Sequence, residues 1–218
     1  MKVLKRFDFN PVNMNLYYAA FTHTSYTNEY PSAENYERLE FLGDAVLELI
    51  ISEYLYKERH LEEGIMTKMR ASYVCENACA TYAKDLNFTN YIRLGSGEPA
   101  PNNTIQADVF EAFVAAVYLD QGYECIKKIV LEEITKYIDQ NIDFLHDYKS
   151  QLQELVQTVK KSVIYEIIDE KGPAHNKEFT CQVKVDNIIY GKGKGRSKKD
   201  AEQEAARVAL SKRAKLIK

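Results

Sequence analysis

The 218-residue chain has no apolar run long enough to cross a bilayer. Its longest, Phe110 to Leu119, is interrupted by Glu111 and falls far short of the ~20 residues a spanning helix needs. The opening MKVLKRFDFN carries charges but no apolar core of the secretory type, so neither a signal peptide nor a membrane is expected. Cysteine is sparse: Cys75, Cys79, Cys125 and Cys181 form no CxxC pair, which argues against the common zinc and thiol-redox motifs. Cys75 and Cys79 lie one helical turn apart, a spacing that suits core packing, and a reducing, cytoplasmic compartment is the default expectation. None of the four histidines (His23, His60, His146, His175) follows a Glu at three residues, which sets aside a di-iron carboxylate bundle. Internal repeats, low-complexity segments and a Gly/Pro-rich linker are also absent. What remains is 45% apolar residues, enough for a packed core, in a length that fits one large or two modest domains.

The net charge of −3 hides a division. Residues 1–148 hold 13 Lys+Arg against 23 Asp+Glu, a net of −10; residues 149–218 hold 16 against 9, a net of +7. Opposite signs suggest separate tasks. A basic module commonly docks on a polyanion. The acidic part is either a solvated surface or a place for cations.

The first part reads as helices throughout. Leu39, Leu42, Val46, Leu47, Ile50, Ile51 and Leu55 recur at three and four, and similar spacing runs across Ile65–Leu86 and Ile105–Leu119. Residues 95–103 and Gly122 break the pattern, and a further helix at about 124–140 ends near Asn141. Strand-like alternation begins only after residue 148. There a helix over 149–161, striped by Leu152, Leu155, Val156 and Val159, precedes strands at 163–168, 179–185 and 188–193. Gly172-Pro173 and Asp186-Asn187 supply the turns, and Ser197 caps a last, alanine-rich helix. The spacing thus predicts an all-α part over 1–146 and a small α-β-β-β-α part over 149–217.

Two acidic sets stand out. Glu37, Glu40 and Asp44 fall at i, i+3 and i+7, on one helix face. About 6 Å of helical rise separates Glu40 from Asp44, against roughly 10 Å for Glu37, which puts Glu37 at the margin. Asp108 and Glu111 form an i, i+3 pair on a second helix among Ala107, Ala112, Ala115 and Ala116. Small side chains there, and Gly43 beside Asp44, let two helices approach and gather four carboxylates. Ordinary solvated helix faces are the plainer explanation. Against it, both sets sit in apolar segments, where charge needs a partner, and no Lys or Arg occurs between Leu94 and Ile126. Oxygen-only ligands suit Mg²⁺ or Mn²⁺ rather than zinc or copper.

The run ERLEFLGDAVLEL (37–49) closely resembles the signature of the ribonuclease III family, which cuts double-stranded RNA. HTSYTNE (23–29), EEGIMTKMRASYV (62–74) and QADVFEAFVAAVYLD (106–120) resemble it too, so the likeness covers nearly the whole chain. The resemblance implies an all-α endonuclease domain over 1–146, with Glu40, Asp44, Asp108 and Glu111 as Mg²⁺ ligands and Mn²⁺ able to substitute. Asp44 and Glu111 would be catalytic, with Glu37 and Glu63 at the margin of the site. It implies hydrolysis by metal-activated water, 5′-phosphate and 3′-hydroxyl ends, short 3′ overhangs, and a role in processing ribosomal and other structured RNA precursors. It also implies a homodimer with Phe41 at the interface, although on residue pattern alone burial of Phe41 in its own core is the simpler reading.

Residues 149–217 resemble a double-stranded RNA-binding domain in three pieces: SQLQELVQ with Gln153 and Glu154, the loop Gly172-Pro173-Ala174-His175, and GKGRSKKDAEQEAA with Lys198 and Lys199. Such domains read A-form shape and 2′-hydroxyls over about 16 base pairs. The residues agree independently, because Lys198 and Lys199 sit where a helix N-terminus already attracts phosphate. Their charge opposes the helix dipole at that end and so disfavours an isolated helix, which points to a functional reason for them. The loop at 95–103 lacks the basic residues frequent in the family, so RNA holding is expected to rest heavily on the second domain. A non-catalytic RNA binder on this fold is the competing function class. Such a binder would be free to lose the acids, and all four are present.

Overall fold

The computed structural model describes residues 1–145, 147–173 and 177–212. It divides into two compact units, Met1–Leu145 and His146–Lys218. Among the described residues the first unit contains α1 (Met14–Ala20), α2 (Thr24–Glu29), α3 (Glu37–Glu58), α4 (Glu63–Val74), α5 (Glu76–Asp85), α6 (Asn103–Gln121) and α7 (Tyr123–Asp139), with short 3₁₀ turns at Lys2–Arg6 and Phe88–Tyr91.

Helix α6 is the axis of this unit. Ile105, Val109, Phe110 and every residue from Ala112 to Val117 are buried, so it is apolar on nearly all sides and packs against α3, α5, α1 and α7. It starts where the Asn102 side chain accepts a hydrogen bond from Ile105 N–H at 2.9 Å. It ends at Gly122, whose φ of +85° few other residues adopt.

The periodicity across Ile65–Leu86 is not one helix. Cys75 adopts an extended conformation (φ −72°, ψ 161°) and separates α4 from α5. The break contains neither Gly nor Pro, so the apolar spacing runs through it unmarked. One short bridge in the first unit also went unforeseen, a parallel pairing of Thr22 with Arg93.

The second unit holds α8 (Tyr148–Thr158), β1 (Val163–Lys171), β2 (Glu178–Val185), β3 (Ile188–Gly195) and α9 (Lys198–Leu210). Its sheet is antiparallel in the order β1-β2-β3. Asp186 and Asn187 turn the β2–β3 hairpin with φ of 46° and 66°, values these two residues tolerate. Strand β1 runs to Lys171, past its expected end, by way of a bulge between Ile167 and Asp169. Leu152 and Val156 of α8, alternate residues Cys181, Val183 and Val185 of β2, and Ala201, Ala205, Ala206 and Ala209 of α9 make its core. The contact of α9 with β3 is unusually close. A Cβ on Gly191 or Gly193 would lie 2.2 Å from backbone atoms of Ala205. Glycine on the strand and alanine on the helix are therefore two halves of one packing solution.

Candidate metal centre and nucleic-acid interface

The two acidic helices cross at Gly43. A Cβ there would fall 1.8 Å from the carbonyl oxygen of Glu111, so only glycine allows the α3 and α6 backbones to come this near. Glu40 and Asp44 flank Gly43 by three residues and one; Asp108 lies one turn before Glu111. The crossing brings both acidic sets to one region.

The electrostatics of that region are those of crowded negative charge. Glu111, half-buried, has its pKa raised to about 8, first by burial and then by Asp44, Glu40 and Asp108. Burial also raises Glu40, with Asp108, Glu37 and Asp44 adding to it. Asp108 is raised by burial, while a hydrogen bond from the Tyr36 hydroxyl (2.9 Å to Oδ2) and the nearby His23 work the other way. Cys79, fully buried on α5, donates its thiol to the Val74 carbonyl (3.6 Å), and its thiol is pushed up first by burial and then by the charge of nearby Glu111. Among the described residues no three His, Cys, Asp or Glu side chains stand close enough to cage an ion as they are. The four carboxylates thus share a region without forming a closed cage. As an all-oxygen, strongly anionic donor set they fit a hard divalent cation.

Glu37 opens α3, is exposed, and adds its charge to that of Glu40, in keeping with a place at the margin. Glu63 is not brought to the crossing. It opens α4, accepts a hydrogen bond from Thr67 (2.9 Å), and lines a separate cavity with Ser52, Leu55, Tyr56, Met66 and Arg70. Phe41 is 85% exposed, so burial in its own core is excluded. Three residues that act on the acids were missed in the sequence: Tyr36 by a hydrogen bond, and His23 and Cys79 as electrostatic neighbours. Tyr36 and His23 stand beside or inside the signature stretches, but no spacing rule links them to Asp108. Cys79 gave only a core-packing signal.

On the second unit Gln153 and Glu154 are exposed on α8, and Lys198 and Lys199 are exposed in the first turn of α9. That turn is fixed by a capping box, with Asp200 N–H donating to Ser197 Oγ (3.1 Å) and Ser197 N–H to Asp200 Oδ2 (3.2 Å). The Lys198 ammonium sits 6.0 Å from the centroid of the Phe179 ring. His175 lies outside the described residues. The start of the 95–103 loop is tied to α2, where the N–H and hydroxyl of Ser96 both donate to Glu29 Oε1, at 2.6 and 2.8 Å. No helix among the described residues is long and apolar enough to cross a membrane.

Comparison with known proteins gives a consistent picture. A family model described as ribonuclease-III-like matches residues 13–138, and one for the double-stranded RNA binding motif matches residues 148–213. Ribonuclease 3 of Onion yellows phytoplasma is 45% identical over 212 residues, covering 95% of this chain and 89% of that protein. Ribonuclease 3 of Geobacillus sp. (strain WCH70) is 48% identical over 211 residues, covering 92% and 85%. Among solved structures, the nuclease domain of ribonuclease III from Campylobacter jejuni is similar, with a TM-score of 0.57 and 36% identity, over 62% of this chain and 95% of that one. With its helical nuclease unit followed by an α-β-β-β-α unit, the chain belongs to the ribonuclease III family, the metal-dependent endonucleases that cut double-stranded RNA.

Proposed function

We propose that Glu40, Asp44, Asp108 and Glu111 hold Mg²⁺, with Mn²⁺ able to substitute, and that the phosphodiester is cut at this place. The observation that carries the reading is the α3–α6 crossing at Gly43, beside which Glu40 and Glu111 have their proton affinity raised by burial and by the neighbouring carboxylates. Mg²⁺ bound there supplies an activated water and a counter-charge for the departing 3′ oxygen, leaving 5′-phosphate and 3′-hydroxyl ends. Asp44 is exposed and offers its carboxylate on the solvent side. Glu111 lies deeper and surrenders its proton when a cation arrives. Asp44 and Glu111 are accordingly the two catalytic carboxylates, Glu37 is marginal, and the distance of Glu63 from the crossing counts against a direct role within one chain.

Duplex RNA is held by Gln153, Glu154, Lys198 and Lys199, and by His175 in the loop outside the described residues. The exposed lysine pair at a capped helix N-terminus supports this, since dipole and charge both favour phosphate. The active form is a homodimer joined around Phe41. The exposed ring supports it, as does a Campylobacter jejuni structure described by a region involved in dimer formation of its nuclease domain. Processing of ribosomal and other structured RNA precursors in the cytoplasm fits this activity. The test is to incubate the protein with long duplex RNA and with single-stranded RNA, with Mg²⁺ or with a chelator. Fragmentation of the duplex only, and only with Mg²⁺, is expected; equal cleavage of both strands' forms, or cleavage in the chelator, would refute the reading.

A further inference from the structure

Tyr36 occupies an odd place. It is the N-cap of α3, where Ser, Thr, Asp or Asn would ordinarily accept a bond from the helix's free N–H groups. A tyrosine cannot do this locally, and its side chain makes no capping bond. Its ring is instead buried, 3% exposed, with its centroid 5.8 Å from that of His23. Its one side-chain polar atom reaches across to α6 and donates to Asp108 Oδ2 at 2.9 Å.

The backbone of the same residue fixes the other acidic helix. The Tyr36 carbonyl accepts from Leu39 N–H at 2.8 Å and from Glu40 N–H at 2.9 Å, and its own N–H donates to Thr22 O at 3.0 Å. One residue therefore sets the start of the helix that carries Glu40 and Asp44, and also holds a carboxylate of the helix that carries Asp108 and Glu111. The bond engages a single oxygen of Asp108, and a carboxylate has further lone pairs to offer.

We infer that Tyr36 is a positioning residue for the metal centre, orienting the Asp108 carboxylate toward the Glu40–Asp44 face through its hydroxyl. Partners of this kind, one shell out from a ligand, typically contribute about 10–100-fold in metal affinity. The inference rests on the reading of the four carboxylates as a metal site.

Tyr36→Phe is the discriminating variant, since it keeps the ring, its packing and all three backbone bonds and removes only the hydroxyl. Mn²⁺ binding to the RNA-free full chain, followed by the loss of the free-ion electron paramagnetic resonance signal, gives a readout independent of turnover. Weaker Mn²⁺ binding by roughly 10-fold or more is expected. The Mg²⁺ concentration for half-maximal cleavage should rise in step, with the rate at saturating Mg²⁺ changed much less. A melting temperature lowered with no change in metal dependence would assign Tyr36 a purely structural role and overturn the inference. So would Mn²⁺ binding equal to wild type. Failure of the wild type itself to bind Mn²⁺ would instead overturn the metal-site reading beneath it.

Discussion

Among the acids at the α3–α6 crossing, Glu111 is the one whose proton affinity the fold raises furthest. In the metal-free protein its carboxyl is pushed up to about 8 by burial and by Asp44, Glu40 and Asp108, against an ordinary 4.5. The sign of the consequence follows from linkage. A carboxyl raised on folding stabilises the fold when protonated; that contribution is complete below the unfolded value and is lost as pH rises through about 8. The difference in melting temperature between Glu111→Gln and wild type, both metal-free, should therefore grow in the variant's favour from about pH 5 to about pH 9. A pH-independent difference would contradict the account. The four acids were legible as residues because their spacing is helical and because no local cation answers Asp108 and Glu111. Tyr36 and Cys79 were not, because each neighbours its carboxylate only through the packing of elements far apart in sequence.

At the scale of elements, the α3–α6 crossing and the β3–α9 contact use the same device, a glycine where a backbone must come close. Gly43→Ala would place a Cβ at 1.8 Å from the Glu111 carbonyl oxygen, so the helices must part. Overpacking of this kind costs roughly 1–3 kcal/mol. Urea unfolding should show a loss of at least that order, and cleavage should fall with it, because Glu40 and Asp44 move away from Asp108 and Glu111. Wild-type stability and cleavage in Gly43→Ala would show that the close crossing is not needed. Most elements could be read from the chain, since α3 and α6 have strong periodicity and β2 alternates strictly. The α4–α5 break could not, because Cys75 turns the backbone without Gly or Pro. The Thr22–Arg93 bridge pairs residues seventy-one positions apart and leaves no local signature.

At the scale of the whole molecule, charge separates the two tasks. The first 148 residues carry −10 and the remainder +7. A cutting unit of that sign is expected to repel RNA until a cation is bound, with the basic unit supplying the attraction. Replacing Lys198 and Lys199 with alanine should weaken duplex binding across sequences and reduce the log–log salt slope by roughly 0.9 or less per lost phosphate contact. An unchanged slope would remove both lysines from the interface. Residues 1–147 alone should hold uncleaved duplex much less tightly than the full chain at moderate salt; equal affinity would refute the division of labour.

We propose one cutting centre, four carboxylates at a helix crossing, with RNA held elsewhere. The most direct test measures duplex binding and Mg²⁺-dependent cleavage together in Glu111→Gln. The account predicts duplex affinity close to wild type with cleavage nearly abolished. Cleavage at the wild-type rate by Glu111→Gln would contradict it.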